Sequence, residues 1–339
     1  MMRCLIAFIA LGLASASPAF AQSRLLFSVF LPPAHFLQAT VRQWAADVEK
    51  ATEGRVKIEF SAGSLAPPPQ QMNAVQSGIF DIGVVANIFI KNKAPLIEFS
   101  TLPWLILDAE AASVGLWRTY EKSLAGKKQF TDVQLLSLFH FGAGHVYSTT
   151  DTPINSIEEL KKRKMWALPG EAADLLKNLG ISPVTSPAVQ VSETVSRGVV
   201  DGVYGITLES LTDFKAAPYL KVLTLFPRGA TSTSFSMFIN KDKWSQLPER
   251  DRAAILSLSG EKMAARVGKA ADKAAADALV KMKADGIKAI DADSAFYADL
   301  QKAAANSYTR FEGIAAKNGV DGKALLDEFR NHYQALAKQ

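Results

Sequence analysis

The residues that could do chemistry in this sequence are mostly aromatic, and they gather at predicted strand ends and in the loops that follow. They are Phe30, Phe36, Phe139, His140, Phe141, His145, Tyr147, Trp166 and Tyr204. In open α/β sheets, ligands bind beyond the carboxyl ends of the strands, in mostly apolar pockets with a few polar groups. The pattern therefore favours the recognition of a small organic molecule.

Polar candidates lie in or near the same segments. His35, His140 and Asn87 could donate hydrogen bonds to a ligand oxygen, and Glu209 or Glu171 could face an amine. For each glutamate, the alternative is simple exposure to solvent.

Trp166 and Tyr204 are the candidates for stacking on a flat or cationic ligand, because an aromatic face attracts such groups. The alternative for each aromatic residue is packing in a hydrophobic core. The predicted ligand-contacting set is Trp166, Tyr204, His35, Phe36, Asn87, His140, Tyr147, Glu209 and Glu171.

Motifs of the common catalytic and cofactor sites are absent from the sequence. It contains no Gly-x-Ser-x-Gly elbow, His-Glu-x-x-His helix, Walker loop or Gly-x-Gly-x-x-Gly turn. The four histidines stand at no recognisable metal-ligand spacing, and the single cysteine is Cys4. We therefore expect a protein that is not an enzyme and has no cofactor or metal. An exported enzyme and a periplasmic ligand sensor for a signalling receptor are kept as alternatives.

Residues 1–21 have the three parts of a secretory signal peptide. Arg3 supplies the positive start, residues 5–14 (LIAFIALGLA) the apolar part and residues 19–21 (AFA) a small-x-small cleavage site. The apolar part is too short for a membrane span of about 20 residues, and a buried N-terminal helix is the alternative. Cleavage after Ala21 would remove Cys4 and leave a periplasmic product with no thiol and no membrane insertion.

Length and charge exclude several other classes of protein. A chain of 339 residues with 48% hydrophobic residues is long enough for two cores. Its 38 basic and 33 acidic residues give a formal net charge of only +5. Nucleic-acid binders usually carry a stronger and more clustered excess, so we expect no nucleic-acid partner.

Strand and helix patterns alternate along the rest of the chain, which predicts an α/β fold. Residues 25–31, 55–61 and 81–86 are typical of strands, and residues 38–51 and 70–77 of helices. The rhythm resumes after about residue 150, with a capped helix from Ser156, a short strand at 164–168 and helices at 172–179 and 191–197.

Two further features suggest two similar lobes joined by a long helix. Residues 78–84 (GIFDIGV) and 198–204 (GVVDGVY) share the order helix, Gly, Asp, strand. Residues 248–285 are rich in Ala, Lys, Glu and Asp, and one helix of about 38 residues would span about 57 Å, more than one lobe. Two ordinary helices broken near Gly260 are the alternative.

Six segments, in this order and spacing, resemble the solute-binding components of tripartite ATP-independent periplasmic (TRAP) transporters, the DctP-like family. They are 54–60 (GRVKIEF), 76–83 (QSGIFDIG), 102–105 (LPWL), 152–161 (TPINSIEELK), 198–202 (GVVDG) and 238–248 (FINKDKWSQLP). The resemblance covers essentially the whole chain after the signal.

The resemblance implies a two-lobed periplasmic-binding-protein-like α/β fold, with a long helix crossing both lobes and a central ligand cleft. We expect lobe I to comprise residues 22–145 and about 231–260, and lobe II residues 146–230 and about 261–339. The implied function is capture of a small organic solute, an organic acid or a related aromatic or amine compound, and its delivery to TRAP membrane permease subunits. We expect the protein to act as a monomer.

The departures from the family pattern concern the substrate. Relatives usually carry an Arg that grips a carboxylate at the position of Trp166, and many carry a second basic residue at the position of Val146. Some relatives also carry an asparagine shortly after the Asp-Gly pair, and this asparagine is absent here, where Gly205 stands near that point. Since an indole has one donor and no charge, the sequence predicts that this protein lacks the usual carboxylate clamp and that the Trp166 indole lines the cleft.

Overall fold

The computed structural model describes residues 22–337, so the predicted signal peptide lies outside the described residues. The strands are β1 Ser23–Ser28, β2 Val56–Phe60, β3 Ile82–Ala86, β4 Val133–Ser148, β5 Met165–Ala167, β6 Val184–Thr185, β7 Gly202–Thr207, β8 Val222–Leu225, β9 Ser232–Asn240 and β10 Lys288–Asp291. The helices are α1 Phe36–Ala51, α2 Gln71–Gln76, α3 Ala109–Thr119, α4 Ile157–Lys161, α5 Glu171–Asn178, α6 Val191–Ser196, α7 Leu208–Asp213, α8 Lys241–Gln246, α9 Glu249–Leu258, α10 Gly260–Ala284, α11 Ser294–Ala303, α12 Ala305–Lys317 and α13 Gly322–Leu336.

The strands form two sheet regions that share β4. The first region has the order β2-β1-β3-β9-β4, and the second continues as β4-β7-β5-β6, with β8 on β4 and β10 on β8. Strands β1, β2 and β3 pair in parallel, as do β5, β6 and β7, whereas β4 and β9 pair antiparallel to their neighbours. The predicted two-lobed α/β fold is confirmed, and β4 runs from one lobe into the other.

Close backbone packing explains one glycine in the crossing strand. Gly144 lies where the register of β4 against β7 shifts, and a Cβ there would stand 2.5 Å from the backbone of Gly205. Only glycine permits this approach of β4 to β7.

The matching Gly–Asp segments build the same joint in both lobes. Gly78 and Gly198 end helices with positive φ, of 73° and 65°. The Asp81 carboxylate then accepts from the Leu26 amide at 2.8 Å, and the Asp201 carboxylate accepts from the Lys164 amide at 2.7 Å. In each lobe, the aspartate thus ties the start of one strand to its parallel neighbour.

The long helix is shorter than the single helix predicted for residues 248–285. The chain breaks between α9 and α10, because Ser259 is extended and Gly260 has a φ of 57°. The two-helix alternative is therefore correct. α10 still has 25 residues and packs against α1 and α3 of the first lobe and α7 of the second.

The packing of the C-terminal helices differs from the predicted lobe assignment of residues 261–339. α11 packs against α5, and Phe296 and Leu300 share a core with the second lobe. α12 and α13 instead return to the first lobe, where Phe311 and Phe329 pack around Phe99. The chain therefore crosses back between the lobes at the junction of α11 and α12.

Candidate ligand-binding site

A cavity lies between the lobes, at the carboxyl ends of β1, β3, β5 and β7. Its volume is about 840 Å³, including the part open to solvent. Both lobes contribute: Leu31 and Ile88 follow β1 and β3, and Leu168 and Thr207 mark the ends of β5 and β7. The position is the one expected for a ligand in an α/β fold.

Part of the cavity lining is aromatic, and we call this part the aromatic wall. Five phenylalanines line it, namely Phe30, Phe89, Phe141, Phe214 and Phe235. The rings of Phe141 and Phe235 lie 4.0 Å apart between centroids, tilted by 30°. This wall can bury a flat ring, and burial of apolar surface contributes about 25 cal/mol per Å².

The polar part of the cavity lining consists mainly of side-chain hydroxyls, and we call it the hydroxyl wall. They belong to Thr101, Thr207, Ser210, Thr231, Ser232, Thr233 and Ser234. Four of them are consecutive, at the start of β9 and immediately before it. No lysine, arginine or histidine lines the cavity within residues 22–337. A polar group of a ligand would therefore meet neutral hydroxyls and not a cationic side chain.

One charged residue, Glu171, reaches the cavity and takes part in an ion-pair cluster. Arg310 of α12 bonds the carboxylates of both Glu171 and Glu98, the latter at 2.9 Å, and Lys91 lies 3.3 Å from Glu98. Because α12 packs in the first lobe and α5 in the second, Arg310 links the two lobes beside the cavity.

The pKa values of the Glu171 and Glu98 carboxyl groups are shifted in opposite directions. Burial raises the pKa of Glu171 in spite of the nearby Arg310. Burial also opposes ionisation of Glu98, but the charge of Lys91 and the hydrogen bond from Arg310 outweigh it and lower the pKa of Glu98. The first-lobe carboxylate therefore carries the charge more readily than the one that lines the cavity.

Of the nine predicted contact residues, Glu171 lines the cavity and five others hold lining residues from behind. Asn87 donates to Ser234 at 2.9 Å, and the His140 ring lies 3.3 Å from the Ser232 hydroxyl. The remaining three contacts are Phe36 on Phe141 with centroids 4.9 Å apart, the Tyr147 hydroxyl donating to the Ile206 carbonyl at 2.9 Å, and the Glu209 carboxylate accepting from Thr207.

His35 also lies behind the aromatic wall. Its ring is 5.3 Å from that of Phe141, and its Nδ1 accepts from the Leu37 amide at the start of α1. Burial lowers the pKa of His35 and of His140 to about 3, and that of His145 to about 4. These rings are therefore neutral at physiological pH.

The structure places Trp166 and Tyr204 in the core of the second lobe, not in the cavity wall. Trp166 has no exposed surface, and its indole N–H donates to Ser186 at 2.9 Å. Tyr204 is equally buried, and its hydroxyl has no hydrogen-bond partner in the part of the chain that the structure describes. The predicted indole lining of the cleft thus gives way to the core-packing alternative, because the Trp166 side chain points into the lobe and the loop after β5 supplies the lining.

The hydroxyls of the cavity were missed by the sequence-based reasoning. The signal available was the run 231–236 (TSTSFS), which combines four consecutive hydroxyl residues with an aromatic at the start of β9. Phe30 and Phe141 belonged to the aromatic group identified from the sequence, although not to the predicted contact set.

Among residues 22–337, no group of three or more His, Cys, Asp or Glu side chains could hold a metal ion. In the same part of the chain, no helix has both the length and the apolar character needed to cross a membrane.

Known proteins resemble this chain over nearly its whole length. A curated relative, the outer membrane transporter protein TsaT of Comamonas testosteroni, is 34% identical over 327 residues, which cover 96% of either chain. A crystal structure of a TRAP periplasmic solute-binding protein from Bordetella bronchiseptica, with bound (R)-mandelate and (S)-mandelate, superposes with a TM-score of 0.87 at 30% identity. It covers 93% of this chain and 99% of the other.

A second structure shares the fold at lower identity. It is a marine metagenome TRAP solute-binding protein described as specific for aromatic acid ligands, with a TM-score of 0.85, 24% identity and coverage of 94% and 100% of the two chains. The family model of bacterial extracellular solute-binding protein family 7, DctP, matches residues 27–313. These findings confirm the resemblance of the six segments, and the chain belongs to this family of TRAP solute-binding proteins.

Proposed function

We propose that this protein captures aromatic monocarboxylates in the cavity between its lobes. The observation that carries the proposal is the composition of the cavity lining, which has five phenylalanines, seven hydroxyl residues and, among residues 22–337, no basic side chain. An aromatic ring can pack on the phenylalanines, and hydroxyl donors can hold a carboxylate without an arginine. The mandelate bound by the 30%-identical relative is itself an aromatic carboxylate.

The family places this capture in transport. As a TRAP solute-binding protein, the chain binds a small organic solute and delivers it to TRAP permease components. We propose in addition that residues 1–21 are removed on export, that the product acts in the periplasm, and that it does so as a monomer.

Closure of the lobes would use the contacts beside the cavity. A Cβ on Gly170 of the second lobe would lie 2.2 Å from the Ile88 side chain of the first, so the lobes touch closely here. Arg310 adds a charged link between Glu98 and Glu171. A ligand that contacts both walls favours the closed form by its differential affinity for it.

A thermal-shift series tests the proposal. Benzoate and mandelate are compared with propionate, which has the carboxylate without the ring, and with benzylamine, which has the ring without the carboxylate. At 100 times Kd, a ligand stabilises the folded protein by about 2.7 kcal/mol, which corresponds to a rise in melting temperature of about 5 °C. The proposal expects this rise for the aromatic acids alone. A larger rise with benzylamine or propionate would overturn it.

A further inference from the structure

Next to the hydroxyl residues of the cavity lies a carboxyl group that has no cationic partner in the described part of the chain. Glu209 of α7 is 2% exposed. One of its oxygens accepts a hydrogen bond from the Thr207 hydroxyl, and the other, Oε2, has no hydrogen-bond partner among residues 22–337. A Cβ on Gly142 of β4 would lie 3.9 Å from Oε2, so this oxygen faces the strand that crosses between the lobes.

Within residues 22–337, the surroundings of Glu209 supply no positive charge. α7 packs against α10, β4 and β7. The titratable groups there are Asp213 on α7, Asp272 on α10, His140, His145 and Tyr147 on β4, Tyr204 on β7, and His35 beside Phe214. The two aspartates act against ionisation of Glu209, the histidines are neutral through burial, and Lys269 and Lys273 of α10 are exposed. Burial, the largest cause, raises the pKa of Glu209 to about 7.

Thr207 and Ser210 connect this carboxyl group to the cavity. The Thr207 Oγ1 lies 2.8 Å from the Ser210 Oγ, and both residues line the cavity. Each hydroxyl has a single hydrogen to donate. A row of carboxyl, hydroxyl and hydroxyl therefore has two possible directions of donation.

The protonation of Glu209 selects the direction. An ionised Glu209 can only accept hydrogen bonds, so Thr207 donates its hydrogen to Glu209. Ser210 then donates to Thr207 across the 2.8 Å contact between their hydroxyl oxygens. Both hydroxyl hydrogens therefore point away from the ligand. A protonated Glu209 can instead donate to Thr207, and Thr207 to Ser210. The Ser210 hydrogen is then free to face the cavity.

We propose that Glu209 is the positioning residue that sets the hydrogen-bond polarity of the cavity wall, and that its protonated form presents Ser210 as a donor to the carboxylate of the ligand. This inference rests on the proposed capture of aromatic carboxylates. Binding then takes up one proton from solvent when Glu209 starts ionised, and no covalent bond changes. Affinity for the anion falls as pH rises through the titration of Glu209.

Isothermal titration calorimetry with benzoate tests this directly. The carboxyl group of benzoate, like other carboxyl groups, is ionised throughout pH 6–8, so the ligand itself does not titrate. Measurements at pH 6, 7 and 8, each in two buffers of different ionisation enthalpy, give both affinity and proton uptake. The wild-type protein is expected to bind about tenfold more weakly at pH 8 than at pH 6, with uptake approaching one proton per benzoate at pH 8.

Three variants separate Glu209 from other titrating groups. In Glu209→Gln the amide can donate to Thr207 as the protonated acid does, so affinity is expected to stay within about twofold across pH 6–8, with no proton uptake. Thr207→Val breaks the row and is also expected to remove the pH dependence. Glu171→Gln removes the other carboxyl beside the cavity, whose pKa is also raised, and is expected to keep the wild-type dependence.

The outcomes distinguish this inference from the function on which it rests. If no aromatic acid binds the wild-type protein at pH 6, both fail. If benzoate binds equally at pH 6 and pH 8 without proton uptake, the role of Glu209 is refuted and the capture of aromatic acids stands. Proton uptake that persists in Glu209→Gln, or disappears in Glu171→Gln, also refutes it. Circular dichroism confirms that each variant is folded, and Ser210→Ala provides a second break in the row if Thr207→Val does not fold.

Discussion

Replacement of Trp166 asks whether the residue at the family's arginine position serves the fold or the ligand. The indole is fully buried and donates to Ser186 at 2.9 Å. Truncation of a buried Trp to Ala costs about 3–5 kcal/mol, and loss of the hydrogen bond about 1 kcal/mol more. Trp166→Ala is therefore expected to lower the free energy of unfolding by about 4–6 kcal/mol, a large part of the 5–15 kcal/mol typical of a folded protein.

Trp166→Phe provides the milder version of the same test. It keeps a ring in the core and loses mainly the bond to Ser186, so we expect a loss of about 1–2 kcal/mol. Urea denaturation followed by circular dichroism measures the stability, and calorimetry with benzoate measures the affinity of the folded protein. The affinity is expected to change less than about threefold, or 0.7 kcal/mol.

A cavity residue serves as the matched control for Trp166. Phe235 lines the cavity against Phe141, so Phe235→Leu is expected to weaken benzoate binding about tenfold, which corresponds to the 0.5–1.5 kcal/mol of an aromatic contact together with lost area. A tenfold loss of affinity in Trp166→Phe with unchanged stability would refute the core assignment.

Three further predictions concern ionisable residues behind or beside the cavity. Burial raises the pKa of Glu209 to about 7, from about 4.5 in the unfolded chain, so its contribution to stability is present below pH 4.5 and is lost as pH rises through 7. Glu209→Gln is therefore expected to be more stable than the wild type at pH 8 by up to about 3 kcal/mol in urea denaturation. An equal or lower stability would contradict the burial of the charge. The lowered pKa values of His35, His140 and His145 act in the other direction, so that each costs about 1.4 kcal/mol of stability per pH unit as pH falls from 6.5 towards 4; melting temperatures that stay constant over this range would show that the rings are accessible to protons. Arg310→Ala removes the charged link between the lobes and is expected to weaken ligand binding about tenfold and to enlarge the radius of gyration of the liganded protein in small-angle scattering; unchanged scattering and affinity would show that this link does not hold the lobes together.

The elements of the fold could be predicted from local patterns because each pattern has a local physical cause. A helix was predicted for residues 38–51, and Val41, Trp44 and Val48, which stand at helical spacing there, form part of the buried face of α1. Ser156 caps α4 through the Glu159 amide at 3.1 Å. Asp81 and Asp201, noted only for their matching positions, prove to make the same strand-joining bond in each lobe.

Long-range features were harder to predict, because the deciding contacts are distant in sequence. Nothing within α12 and α13 indicates that they return to the first lobe to pack with Phe99. The single-helix prediction failed at Gly260, where the backbone has a positive φ of 57° and an added Cβ would lie 3.0 Å from the Trp117 ring.

Most of the predicted contact residues lie behind the residues that line the cavity. Large strand residues such as Tyr147 and Trp166 point into cores, where tight packing accommodates them. The cavity itself is lined by small hydroxyls and by phenylalanines, of which Phe141 and Phe235 lie on strands and Phe30 and Phe214 lie between elements. The aromatic residues at strand ends indicated a cleft at the carboxyl ends of the strands, where the cavity lies, while the small side chains that line it carry little signal in a single sequence.

We propose that the cavity holds an aromatic carboxylate without a basic side chain, and calorimetry on the wild-type protein at pH 6 is the decisive experiment. Benzoate, propionate and benzylamine are titrated under identical conditions. The cavity wall predicts that benzoate binds at least 100-fold more tightly than either, because only benzoate matches both the phenylalanines and the hydroxyl donors. Equal affinity for propionate would show that the ring is not recognised, and tighter binding of benzylamine would show that the site selects a cation; either result would contradict the account.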